Sequence, residues 1–314
     1  MTRFVAARAT VIAAAALIVA LLPFALSDYN RSQGADVAVF YVVILGLNIV
    51  TGYTGQISIG HGAFMAIGGY ATAILTHDHG WNDLATLPIS ALAGFGAGIV
   101  VGLPALRFRG TYLALATFAV ALAVPQIAKN YSGFTGGTEG LALPIHSGLW
   151  LYGLGWAAAA IATVAAWLLL RARTGRAFRA VRDSEVAAAS SGVSLPVYKT
   201  LAFGISAAFA AVAGSIYVLV NNFVNPDVFG LTLSLYVLIG AVVGGLGSLW
   251  GTIAGAAFVQ LLPIGLTSSH ALSSQSVPVI FGAVVIVVMA LVPRGAADLL
   301  RVGAALAVRR SPTP

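Results

Sequence analysis

The chain has 314 residues, of which 59% are hydrophobic and only 8% charged, and its mean hydropathy is +0.96. Soluble domains carry about 25% charged residues, so these side chains cannot make a water-facing surface, and the composition specifies an integral membrane protein. The net charge is +7, and cysteine is absent, which excludes disulfides and thiolate metal ligands.

A spanning helix needs about 20 apolar residues. Taken in order, the apolar runs predict ten membrane segments, at about 9–26, 37–51, 56–76, 87–106, 110–128, 148–170, 197–221, 231–245, 249–266 and 277–293. Arg3 and Arg8 precede the first, as in a secretory signal, but its run of about 18 apolar residues exceeds the 7–15 of a signal, so it reads as an uncleaved helix. The stretches 37–76 and 231–266 are single apolar runs interrupted by glycine, so each either crosses twice or is partly re-entrant. With the N-terminus inside, 14 of the 16 basic residues fall on the cytoplasmic side, and only Arg31 and Lys129 lie outside. Acidic residues divide the other way, with Asp28, Asp36, Asp78, Asp83, Glu139 and Asp227 outside. This Lys/Arg bias orients the chain with both termini cytoplasmic. The positive charge is then topological, and no nucleic-acid partner is expected.

The first interruption runs from Thr51 to Gly62 and contains Gly52, Tyr53, Gly55, Gln56, Ser58 and His61. The second contains Gly244, Gly247 and Ser248. Each glycine weakens a helix by up to ~1 kcal/mol, and broken backbone at membrane depth must be buried in protein or line a watery cavity. Paired breaks of this kind point to a transport pathway. Both hold a Gly-x-x-Gly with a small polar residue after it, which suggests an internal two-half repeat. The Gly68-Gly69 and Gly94-x-Gly96-x-Gly98 runs read instead as close helix packing. His61 is the only ionisable side chain in mid-span by this reading. With no carboxylate beside it, a structural or cavity role is expected rather than a proton relay.

Residues 171–196 form the longest hydrophilic segment, and their pattern predicts a helix. Arg176, Arg179 and Arg182 share one face, Gly192 suits the position after a helix end, and Pro196 suits the first turn of the next span. Such a basic helix serves either as an interfacial element held by anionic membrane lipids or as a docking element for a cytoplasmic partner. On the outer side, Thr135 to Gly140 reads as a tight turn, with Glu139 as a candidate contact for an external protein.

Five runs carry a family resemblance: Asn48 to Phe64, Leu106-Arg107-Phe108-Arg109-Gly110-Thr111-Tyr112, Thr135 to Leu141, Gly175 to Arg182 with Glu185 and Ala187-Ala188, and Gly244 to Gly251. In this order they resemble the signatures of permease subunits of branched-chain amino-acid ABC importers, and within that family the chain is similar to the M-type subunit. The resemblance implies an all-α permease fold of about ten transmembrane helices in two related halves, with residues 1–314 as one domain in the cell membrane. It implies a second homologous permease subunit, two cytoplasmic ATPase subunits and an extracytoplasmic substrate-binding protein as partners, and no cofactor. ATPase coupling would fall on Arg176, Arg179, Arg182, Glu185, Ala188 and Gly192, and binding-protein docking on Glu139 and Asp227. Ser190-Ser191 departs from the expected pattern of that segment. Urea and short-chain amide permeases share these signatures.

The only lysines, Lys129 and Lys199, follow Ala128 and Tyr198, so neither belongs to a phosphate-cradling P-loop. If transport is ATP-driven, the hydrolysis comes from a partner subunit. An ion-gradient carrier is the rival class: by this reading no Asp or Glu lies mid-span for proton coupling, while sodium could be held by carbonyls at the breaks. An intramembrane enzyme would need more than Ser58 and His61, which have no third orienting group.

Overall fold

A computed structural model of the chain describes residues 19, 21–105, 111–268, 277–291, 295 and 296. Most of the first expected span, the terminal arginines and the Arg107–Arg109 motif lie outside the described residues.

Backbone in a bilayer must satisfy its own polar groups, and each remaining apolar run does so as a helix. The helices are α1 (Asp28–Leu47), α2 (His61–His79), α3 (Asp83–Ala105), α4 (Thr111–Asn130), α5 (Ser132–Thr135), α6 (Gly148–Arg171), α7 (Arg173–Asp183), α8 (Glu185–Ser190), α9 (Leu195–Asn221), α10 (Leu231–Gly244), α11 (Gly251–Ser268) and α12 (Val277–Leu291). A π-helical turn (Asn48–Tyr53) extends α1, and a 3-10 turn (Pro226–Phe229) precedes α10. Strands β1 (Leu141–Ala142) and β2 (Phe223–Val224) pair antiparallel and tie together the loops that follow α5 and α9. That short ladder is the one addition to the helical architecture among the described residues. The nine spans expected from residue 37 onward each coincide with a helix. Five segments, 28–53, 83–104, 112–130, 148–171 and 195–221, are individually long and apolar enough to cross a membrane.

One boundary differs in a way that matters. α1 begins at Asp28, not near residue 37, because Ser27 caps it by accepting from the Asn30 N–H, and Asp28 places a negative charge in its first turn. The polar run Asn30 to Gln33 is therefore helical, and Asp36 belongs to a buried helix instead of an outer loop.

The core is built around α1 and α9. α1 is buried from Ala35 to Leu47 and packs against α6, α9 and α11, while α9 packs against α2 and α3. Small residues allow these approaches. At the α2–α9 crossing, a side-chain carbon on Gly68 would collide with the backbone of Ala211, and one on Gly214 with the backbone of Met65. Gly94 and Gly98 likewise face Ala207 on α9. Gly96, expected to pack in the same way, has nothing within 4 Å, since at i+2 it points away from the partner helix. Gly68→Val is accordingly expected to destabilise the purified protein by about 1–3 kcal/mol or more through overpacking, whereas Gly96→Val leaves its melting temperature unchanged. Thermal unfolding in detergent checks both.

Candidate functional site

The basic segment is two helices instead of the single one expected. Ser184 turns the chain with extended backbone between α7 and α8, and its hydroxyl caps α8 by accepting from the Ala187 N–H at 3.2 Å. α7 buries Gly175, Ala177, Phe178 and Val181, and Phe178 meets Tyr198 of α9 edge-on. Arg176 and Arg182 are exposed, and Arg179 is half-buried with its guanidinium donating to the Leu170 carbonyl. Gly192 has φ +81° just past α8, and Pro196 lies in the first turn of α9, both as expected.

Two of the expected coupling residues face inward. Ala188 is buried, and Glu185 forms an ion pair with Lys199 of α9 at 2.6 Å, in which the lysine side chain is only 8% exposed. The surface that α7 and α8 present therefore includes Arg173, Arg176, Arg182 and Val186, the last 78% exposed. Removing one partner of a buried pair strands the other charge. Lys199→Met is thus expected to cost about 1–3 kcal/mol, and the double variant with Glu185→Gln should recover part of it. A double-mutant cycle by thermal unfolding measures the coupling.

The two glycine breaks meet each other. In the first, the π-turn unwinds into irregular chain at residues 54–60, where polar side chains replace the lost helical bonds. Thr54 donates to the Val50 carbonyl at 2.5 Å, Gln56 donates to the Thr54 hydroxyl at 2.8 Å, and Thr51 donates to the Gln56 carbonyl at 3.0 Å. In the second, α10 stops at Gly244, and the chain turns through Gly247, whose φ of +79° favours glycine. Ser248 then accepts from the Gly251 N–H and opens α11. Asn48 joins the two breaks. Its Oδ1 accepts from the Gly247 N–H at 2.6 Å, and its Nδ2 donates to the Ser248 carbonyl at 2.9 Å and to Thr252 Oγ1 at 3.3 Å. Gly52 permits this approach, because a β-carbon there would strike both Asn48 and the Gly247 backbone.

The basic segment docks on the same junction. Arg182 Nη1 donates to the Gly52 carbonyl at 3.2 Å, and its aliphatic stem lies against Gly55. Its guanidinium also pairs with Asp183 at 3.1 Å. Gly52, Gly55, Gly247 and Arg182 thus form one cluster at the α7 end of the bundle. His61 sits one step behind it, buried at the start of α2, with Nε2 at 2.7 Å from Ser206 Oγ and Nδ1 at 3.4 Å from Ser58 Oγ. Ser206 donates on to the Gly46 carbonyl at 2.6 Å. The imidazole therefore links the first break to α9 and α1, and no carboxylate is among its hydrogen-bond partners.

The opposite end of the bundle holds a cavity of about 560 Å³ between the start of α1, the end of α9, the start of α10 and the C-terminal half of α11. Of the site residues expected from sequence, only Asp227 lines it. The breaks lie at the other end and do not. Asp227 also pairs with Lys129 at 2.5 Å, which ties the 226–229 turn to the end of α4. Glu139 is exposed in a turn whose glycines 136, 137 and 140 all have positive φ, as the turn reading expected.

Sequence reasoning missed Asn48 and Lys199. A lone amide inside the apolar run 37–51 is itself a signal, because a polar side chain at membrane depth needs a partner.

The family described as branched-chain amino acid transport system, permease component, matches residues 34–292. The chain is 32% identical over 274 residues to the high-affinity branched-chain amino acid transport system permease protein LivM of Escherichia coli (strain K12), covering 75% of this chain and 64% of that protein. It thus spans about 64% of the length of this relative. It is 25% identical to the corresponding permease protein LivH of Salmonella typhimurium, over 82% of this chain and 90% of that protein. It is 28% identical to the autoinducer 2 import system permease protein LsrC of Salmonella paratyphi B, over 54% of this chain and 48% of that protein. No solved structure matches. With a multi-pass helical architecture, glycine breaks in two of its apolar runs and a family match across most of its length, the chain belongs to the permease components of branched-chain amino acid transport systems.

Proposed function

We propose that this chain is the M-type permease subunit of an ATP-driven importer for branched-chain or similar hydrophobic amino acids. The observation that carries the reading is the meeting of both glycine breaks with Arg182 of α7 in one cluster. A force applied to the basic segment reaches both broken spans directly, and alternating access needs such a linkage between a drive surface and its hinges. In this reading the Arg-rich end is cytoplasmic, both termini are inside, and Arg173, Arg176 and Val186 face one of two partner ATPases. The second permease subunit packs alongside in the membrane. The extracytoplasmic binding protein docks over Glu139 and the 222–230 loop and delivers cargo at the cavity end.

The test is uptake into proteoliposomes holding this chain with its co-purifying partners, using labelled leucine and labelled urea, with and without ATP. ATP-dependent, binding-protein-dependent leucine uptake is expected. Urea uptake in its place would reassign the cargo, and gradient-driven uptake by the isolated chain would overturn the importer reading.

A further inference from the structure

Among the described residues, Asp36 is the cavity-lining carboxylate that has no cation. It sits within α1, only 7% exposed, and its Oδ1 has no hydrogen-bond partner among the described residues. Its Oδ2 accepts a long bond from Gln260 Nε2 at 3.4 Å, an amide that bonds Gln33 Oε1 more closely at 2.9 Å, and its other hydrogen-bonding neighbour is the neutral Asn221 side chain. A buried charge without a cation is costly, and a cationic group on a ligand in the cavity would supply the missing charge. Asp36, Gln33 and Gln260 all line the 560 Å³ cavity, together with the apolar side chains of Phe40, Leu233 and Val259. No cationic side chain is among the described lining residues, and the other carboxylate, Asp227, already has Lys129.

Cavity size and walls choose between a bare cation and a larger one. Small-molecule sites occupy about 300–1,000 Å³, far more than an ion needs, and an apolar wall beside the carboxylate gives nothing to a metal ion. The first turn of α10 contributes Thr232 and Leu233 to the same cavity, and no side chain caps that helix, so its free amides favour a negative group there. We propose that this cavity is a cargo-binding site for a zwitterionic aliphatic amino acid, whose ammonium pairs with Asp36, whose carboxylate faces the start of α10 and whose side chain lies on Phe40, Leu233 and Val259. The assignment rests on the importer reading above and names the group in this chain that recognises the cargo.

The experiment uses the complete reconstituted importer with saturating binding protein. Asp36→Asn is expected to lower leucine uptake at least tenfold in a complex that still co-purifies with its partners, and Asp36→Glu should retain more uptake than Asp36→Asn. Uptake by Asp36→Asn within twofold of the parent overturns the assignment. Should that variant not assemble, the unsubstituted complex decides. Labelling of Asp36 by dicyclohexylcarbodiimide, followed by mass spectrometry, should be slowed by millimolar leucine and not by 4-methylpentanoate, which lacks the ammonium. Equal labelling with and without leucine overturns the site. If the parent complex takes up urea and not leucine, the cargo reading itself fails, and the Asp36 site falls with it.

Discussion

Replacing Asn48 by leucine is expected to destabilise the assembled protein by about 2–4 kcal/mol, the largest single-residue effect the structure predicts. Leucine is of similar size, so packing changes little and the loss is polar. Asn48 is 1% exposed and satisfies the Gly247 N–H, which has no other partner at hand, while its own amide donates to Ser248 and Thr252. Thr252 also donates to the Ser248 carbonyl, so that acceptor survives the substitution and the orphan is the Gly247 N–H. A buried group left unsatisfied costs about 1–3 kcal/mol beyond the lost bond. Asn48→Asp should be no better. It keeps the acceptor for Gly247, but it turns the donor end into an oxygen facing the Ser248 carbonyl and buries an unpaired charge. The neighbouring Ile49→Val, also fully buried, removes one methyl and should cost only about 0.5–1.5 kcal/mol. Thermal unfolding of the detergent-solubilised protein ranks the three. A melting temperature for Asn48→Leu indistinguishable from that of the parent would show that the two breaks are not joined through this side chain.

The Asn48 junction also marks the limit of what the sequence could say. Apolar length located the spans because a bilayer demands it, and glycine clusters located the breaks because glycine tolerates the turns. Neither signal carries information about which break touches which, and the contact from Asn48 to Ser248 closes a separation of 200 residues. Local chemistry misled in two places. Charged residues before an apolar run point to loop, yet a single Ser27 cap carries α1 outward through Arg31 and Gln33 and leaves Asp36 inside the fold. Arginine and alanine periodicity runs unbroken through 171–190, so the bend at Ser184 was invisible, although a serine before Glu185 has the makings of a cap. That bend decides which coupling residues face out. It turns Ala188 inward and brings Glu185 to Lys199, a pairing that a single straight helix did not suggest.

The second large effect falls on coupling. Arg182→Leu is expected to lower leucine uptake per ATP hydrolysed about tenfold in the reconstituted importer while ATP hydrolysis itself persists. Leucine preserves the aliphatic contact with Gly55 and removes the polar links, the bond from Arg182 to the Gly52 carbonyl at 3.2 Å and the exposed pair with Asp183, of which only the first reaches the break. A hydrogen bond from a charged group is worth about 1.5–3 kcal/mol when buried. This side chain is 40% exposed, so solvent screening reduces that value. A coupling loss near 1.4 kcal/mol remains, which is about tenfold in an equilibrium. A ligand or a nucleotide can bias two states only by the contacts that differ between them. Arg182 is the described α7 side chain bonded to the first break, so it is where motion of the basic segment becomes motion of the hinge. Arg182→Lys distinguishes charge from geometry. An ammonium can reach the Gly52 carbonyl or Asp183, but it cannot hold both with the fixed fork of a guanidinium, so partial coupling is expected. The ratio of uptake to hydrolysis should therefore fall in the order Arg, Lys, Leu. If Arg182→Leu keeps that ratio within twofold of the parent, α7 does not drive the hinge through this contact, and the link must run through the Glu185–Lys199 pair into α9 instead.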